Sequence, residues 1–443
     1  MGSKKILAKK VISTRTEIKD SVVFMTAYEI NEFQKQSARF GQKNKVKSLL
    51  NQFHISGISY NNTYISPDRK CRYTVDFDSL KRVSAFNFED ITEFNEENSK
   101  FVNEIIPLLT LQHSNNALLD SSQVKISMCF NMESFLVVFN EKVYQVDSFA
   151  YFMNDTLIVC FELIDYESTI PLEYDSIFGR EDNFGIKPIT QIQFFDESVF
   201  SNDDRKISDI ISKNIFDFLS QLTKGRFVVG EFSFVHNTLI LSNKINDVGT
   251  YFQKVLGASI KNFEIDNISA TNAFEYYLIE SLGVVTDIST TDSKGNIMFD
   301  CIMLESFKMY LLLKMVIDYE INHKLEKIID SQIYVESLFY PAHVPIITLN
   351  MIEKLKDTVT FSRYKEAIAF KVQSLKIWQD RKSTNNGKLM NILLYVLAMF
   401  GCAQTLDVLD YRLGIPFKYS FLIVTAIFIV LGFVWAKKEF KKE

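Results

Sequence analysis

The sequence predicts an α+β domain, mainly an antiparallel sheet with flanking helices. A long stalk helix and two C-terminal transmembrane helices follow it. Three observations predict this. Short runs rich in β-branched and aromatic residues, separated by turn residues, fill the stretch from Gln123 to Tyr166. From Thr348 to Leu406 there is no proline, and Gly387 is the one glycine before the apolar run. Two apolar runs close the chain, uncharged over residues 389–406 and 419–436. Each is near the roughly 20 residues that a helix needs to cross a bilayer.

Composition limits the alternatives. The 443 residues are 47% hydrophobic, with 39 Phe and only 15 Gly, which describes a packed chain. A net charge of −5 does not suit a nucleic-acid binder. The five cysteines, Cys71, Cys129, Cys160, Cys301 and Cys402, are scattered and form no CxxC. Neither a disulfide framework nor a zinc site follows. The basic start, Met1 to Lys10, has no apolar core and is not read as a secretory signal.

In order, Val22 to Tyr28 reads as a strand and Asn31 to Phe53 as a helix with Phe33, Phe40, Val46, Leu49 and Leu50 on one side. His54 to Phe86 reads as strands with turns at Asn61-Asn62 and Ser66-Pro67-Asp68. Ile91 to Leu111 reads as a helix interrupted at Pro107. Val124 to Phe130, Ser134 to Phe139, Lys142 to Val146 and Thr156 to Phe161 are the strands of the meander. Asp203 to Leu222 is an amphipathic helix carrying Ile207, Ile210, Ile211, Ile215 and Leu219. Two strands are expected between Phe227 and Leu241, a helix over Asp247 to Leu256, and helices from about Asn272 onward. The apolar core Met309 to Ile317 is too short to span a bilayer and is interrupted by Lys314, so it reads as a buried helix.

The resulting division is a cytosolic α/β domain over 1–270, a helical region over 271–347 and a stalk over 348–388. Transmembrane helices then occupy 389–409 and 419–436, with a loop at 410–418 and a basic tail at 437–443. Lys376, Arg381, Lys382 and Lys388 precede the first run, and Lys437, Lys438, Lys441 and Lys442 follow the second. By the excess of basic residues, both ends face the cytoplasm. The location expected is the inner membrane, multi-pass.

The sequence has no GxxxxGK[ST], HExxH, GxSxG or GxGxxG, and its five histidines are isolated, so no catalytic residue is assigned. Glu96-Glu97 and Asp203-Asp204 read as metal-binding carboxylates or as ordinary helix caps. Arg180, Lys224 and Arg226 stand beside glycines and are candidate contacts to a phosphate or an adenine-bearing ligand. Turn chemistry accounts for those glycines equally well. No metal ligand set is assigned. Lys388, Asn391, Tyr395, Met399, Cys402 and Leu406 recur at three- or four-residue steps and share one helical face.

The layout resembles the CorA family of divalent-cation channels. The likeness is architectural over the whole chain and sequence-like over Thr384 to Lys442. Its closest piece is Gly414-Ile-Pro-Phe417 with Gly432-Phe-Val-Trp-Ala-Lys-Lys438, similar to that family's second helix and basic tail. The family's Gly-Met-Asn signature is absent, and the corresponding stretch is Thr405-Leu-Asp-Val-Leu-Asp-Tyr-Arg412. That departure makes the chain more similar to the divergent CorA-like effectors of type III CRISPR systems. The resemblance implies a funnel-shaped homopentamer in the lipid bilayer. It implies a pore lined by Lys388, Asn391, Tyr395, Met399, Cys402 and Leu406, against the alternative of ordinary helix packing. Asp407 and Asp410 would form an outer acidic ring or stand as plain loop residues. The implied role is an antiviral channel gated by a small nucleotide built from S-adenosylmethionine and ATP (SAM-AMP). The alternatives are a Mg²⁺ transporter and a membrane-anchored scaffold or sensor.

Overall fold

The computed structural model describes residues 21–33, 43–60, 63–68, 70–75, 86–88, 126–139, 141–165, 187–194, 197–240, 267–269, 274–278, 282–286, 294–320, 328–330, 332–333, 337, 346–357, 359–413 and seven positions between 419 and 430. The expected helices at Ile91–Leu111 and Asp247–Leu256, together with Glu96-Glu97 and Arg180, lie outside the described residues. The chain divides into two compact units. The first holds residues 1–322 and 328–366, and the second holds 323–327 and 367–443.

Among the described residues the first unit is built on fourteen strands joined in one sheet. They are β1 (Ser21–Phe33), β2 (Ile55–Tyr60), β3 (Thr63–Ile65), β4 (Lys70–Val75), β5 (Phe86–Phe88), β6 (Ile126–Met132) and β7 (Phe135–Phe139). Then come β8 (Lys142–Met153), β9 (Thr156–Asp165), β10 (Gln191–Phe194), β11 (Ser201–Asn202), β12 (Phe227–Ile240), β13 (Glu275–Leu278) and β14 (Leu282–Thr286). The order is β13-β14-β12-β1-β9-β8-β6-β2-β3-β4-β5. Neighbours pair antiparallel except β12 and β14, which run parallel.

Strand β8 forks the sheet. One end, Lys142 to Val146, pairs with β7, which carries β10 and β11. The other end, Phe149 to Met153, pairs with β6. A 12-residue strand is long enough to serve both, and β9 pairs with most of its other edge.

Helices cover both faces of the sheet. α1 (Lys43–Gln52) and α2 (Ile207–Thr223) lie on one face, and α3 (Lys294–Glu320) and α4 (Ile346–Lys356) on the other. The period of two in β1 sorts its side chains between them. Val22 and Phe24 join the core under α2, while Val23, Met25 and Ala27 join the core under α3. A strand buried on both faces reads as an unbroken apolar run, as Val22 to Tyr28 does. Under α2 the core is aromatic, with Phe218 5.9 Å from Phe130 and 6.1 Å from Phe53 between ring centroids. The whole of 301–313 on α3 is buried.

α2 ends by a left-handed turn. Lys224 has φ 57° and Gly225 φ 77°, and the Gly225 N–H donates to the Ser220 carbonyl at 2.7 Å.

Several elements differ from the sequence expectation. Among the described residues of the helix expected over Asn31–Phe53, α1 covers Lys43–Gln52, and residues through Phe33 continue β1. The two strands expected between Phe227 and Leu241 are one strand, β12, whose pairing with β1 shifts register around Tyr28 and Ile30. Where helices were expected from Asn272, β13 and β14 form the sheet's edge.

The larger correction concerns the C-terminal region. The predicted fold ended in two transmembrane helices and a funnel, and the predicted location was a multi-pass inner-membrane protein. Among the described residues, no helix is long and apolar enough to cross a membrane. The first apolar run, 389–406, lies within a longer element. It continues one 55-residue helix, α5 (Val359–Leu413), whose earlier turns are polar and whose last turns carry Asp407, Asp410 and Arg412. Most of the second run, 419–436, lies outside the described residues. At 1.5 Å per residue α5 is about 82 Å long.

Candidate functional site

The most chemically loaded place in the first unit is a sealed polar cluster between α3 and the edge of the sheet. Glu305 and Lys308 sit three residues apart and share a face of α3. His236 and Thr238 sit two apart on β12 and share a face of the sheet. Tyr276 comes from β13. None of the five is more than 1% exposed.

The Glu305 carboxylate is the hub. Tyr276 Oη donates to Oε1 at 2.8 Å, and Thr238 Oγ1 donates to Oε2 at 2.5 Å. His236 Nε2 pairs with Oε2 as well. Lys308 Nζ lies 3.2 Å from His236 Nδ1. A protonated lysine has donors and no acceptor, so Nδ1 is then the acceptor and the imidazole carries its proton on Nε2. Two donors would not face each other at that distance. Lys308 and His236 therefore hold one positive charge between them, against the one negative charge of Glu305. Burial alone would raise the Glu305 carboxyl. The positive charge that His236 and Lys308 share, with the hydrogen bonds of His236 and Thr238, outweighs burial and holds it below its ordinary value. Burial also pushes the Tyr276 phenol well up, and the Glu305 charge pushes the same way.

A glycine makes room for the hub. Gly283 of β14 stands opposite Thr238 in the parallel pair. A Cβ at 283 would overlap the Glu305 carboxylate and lie 2.9 Å from its Cδ. Residue 283 must be glycine if α3 is to press this carboxylate onto the strand.

A second group adjoins on the same face. Tyr151 Oη bonds Ser306 Oγ, which also donates to the Ile302 carbonyl at 2.6 Å. Burial pushes the Tyr151 phenol and the Cys160 thiol up, so both stay neutral. Cys129, Cys160 and Cys301 are buried and form no disulfide. At the rim Lys314 pairs with Asp155 and lies 5.8 Å from the Tyr310 ring centre.

The residues singled out from sequence are placed elsewhere. Lys388, Asn391, Tyr395, Met399, Cys402, Leu406, Asp407 and Asp410 are all on α5. Asn391 is exposed, and the side chains of the other seven lie outside the described residues. Lys224 and Arg226 flank the C-terminal turn of α2, both exposed. That end of a helix presents carbonyls and a partial negative charge, which suits a phosphate poorly. Asp203 is clamped by Arg205, with Nη2 at 2.6 Å from Oδ2 and Nε at 3.0 Å from Oδ1. The hydrogen bonds from Arg205 hold Asp203 below its ordinary value. This local pair leads into α2. Among the described residues no group of three His, Cys, Asp or Glu side chains is placed to hold a metal.

The Glu305 cluster went unread in the sequence, although a signal existed. Glu305 and Lys308 interrupt the apolar run of α3, and charges inside a fully buried helix must be paired. The cluster, closed to solutes, fastens α3 to β12 and β13. No known protein family, curated protein or solved structure matches the chain.

Proposed function

We propose that the chain is a non-catalytic, self-associating scaffold or sensor. The sheet unit receives a signal, and α5 brings copies together. The sequence raised a scaffold or sensor only in membrane-anchored form; without that anchor it needs no spanning helix, whereas a channel or a Mg²⁺ transporter does. A small nucleotide is the signal that the resemblance implies.

The observation that carries the reading is on α5. Met390, Leu393 and Leu394 are 57%, 51% and 57% exposed. They begin a stretch, 389–406, without a single charge. Large apolar side chains grouped on a charge-free stretch of helix favour burial against another surface. Like stretches from further copies supply one without charge repulsion. Asn391 beside them would fix register at some cost in stability.

The test is the mass of the full-length protein by light scattering. The expected value is a multiple of 51.3 kDa, and five copies would fit the resemblance. The L393E/L394E variant is expected at the mass of one copy. A wild-type protein that stays at one copy across micromolar concentrations overturns the reading.

A further inference from the structure

The earlier turns of α5 carry a different surface. Phe370, Ile377 and Arg381 follow one another at steps of seven and four residues, so they line one face of the helix. Trp378 and Lys382, four apart, flank that line. All five are exposed, with Phe370 at 72%, Ile377 at 48% and Trp378 at 58%. Lys382 Nζ lies 5.1 Å from the Trp378 ring centre, so cation and indole present one patch. From Phe370 to Lys382 the helix has four basic residues against one acidic one, Asp380. At 100° per residue Asp380 falls outside the sector that holds the five.

This face fits badly against a second copy of itself, because like charges would meet. It calls for a partner that is anionic and also accepts apolar side chains. Nucleic acid meets the first need and gives an exposed Ile377 nothing. An acidic lipid surface meets both. Phosphates take the Arg and Lys heads, and the boundary beneath them takes Phe370, Ile377 and Trp378. We propose that the Phe370–Lys382 face of α5 docks on an anionic phospholipid surface. The contact lies flat in the interface. It requires no spanning helix and does not depend on self-association.

Co-sedimentation of the full chain with vesicles tests this. One set is phosphatidylcholine alone, and the other contains about one-third phosphatidylglycerol. Binding is expected to the second set at low salt and to weaken as salt rises. The R381Q/K382Q variant is expected to bind about 30-fold more weakly, from about fivefold for each basic residue near the surface. In a W435F background Trp378 is the remaining tryptophan, because the chain has two. Its emission is expected to shift to the blue on anionic vesicles. Circular dichroism of each variant shows that the fold is retained. The proposal is overturned by equal binding to both vesicle sets, by no binding, or by R381Q/K382Q binding as wild type. Preference for single-stranded RNA over the anionic vesicles, in competition, also overturns it.

Discussion

Glu305 is a carboxylate driven into a core, and its partners decide whether that costs or stabilises. Its negative charge is matched by the single positive charge on Lys308 and His236, and its oxygens accept from Tyr276 and Thr238. Removing one side of such a pair is worse than never having built it, because the other side stays buried and uncompensated. E305Q keeps the shape and loses the charge. It is expected to lower unfolding free energy by about 3–5 kcal/mol at neutral pH, read by chemical denaturation. The pH dependence has a fixed sign. A carboxyl held below its ordinary value contributes stability that is complete above the unfolded-state value, about 4.3. That contribution is lost as pH falls through the lower, folded value. Wild type should therefore lose stability on the acid side, and E305Q should lose less there. An E305Q protein as stable as wild type at pH 7 would show that the charge is not needed. Gly283 supplies the matching prediction. G283A places a methyl group on a carboxylate that is fully buried and cannot swing away. Overpacking of this kind costs about 1–3 kcal/mol. The G283A/E305A pair should be less destabilised than the sum of its parts, since truncation at 305 removes the atoms that the added methyl meets.

At the scale of elements, legibility followed periodicity. α2 was visible because Ile207, Ile210, Ile211, Ile215 and Leu219 mark a stripe, and all five are buried. The strands between Ile126 and Asp165 were visible through their β-branched runs and turn residues. β13 and β14 were not, because Glu275-Tyr-Tyr-Leu278 and Leu282-Gly-Val-Val-Thr286 are only four and five residues long. A glycine inside the second weakens the strand signal further, and its reason lies in a carboxylate that arrives from α3. The apolar run 389–406 was read by length alone as a span. Length and hydrophobicity do not show where a helix begins, and 389–406 falls in the latter part of the 55-residue α5. The polar cluster was hidden for a related reason. Its members come from three elements, and only the Glu305–Lys308 spacing within α3 is local.

At the scale of the first unit, the sheet order assigns unequal stability. β1, β9 and β8 lie inside the sheet, paired on both edges over much of their length. They also have helices over both faces, with Val23, Met25 and Cys160 under α3 and Phe24, Val159 and Phe161 under α2. β11 has two residues and β5 three, and each pairs on one edge. Amide exchange reads the free energy of local opening, which approaches the global value only in such central strands. The slowest amides are expected in β1, β9 and the Phe149–Met153 half of β8, and the fastest among strands in β5 and β11. The Lys308–His236–Glu305 cluster adds a further expectation, because it fastens α3 to β12 and to β13. E305Q should accelerate exchange in α3, β12 and β13 while leaving β6 and β2, on the far side of the fork, close to wild type. Uniform acceleration across the sheet would mean that the cluster holds the whole unit and not one edge of it.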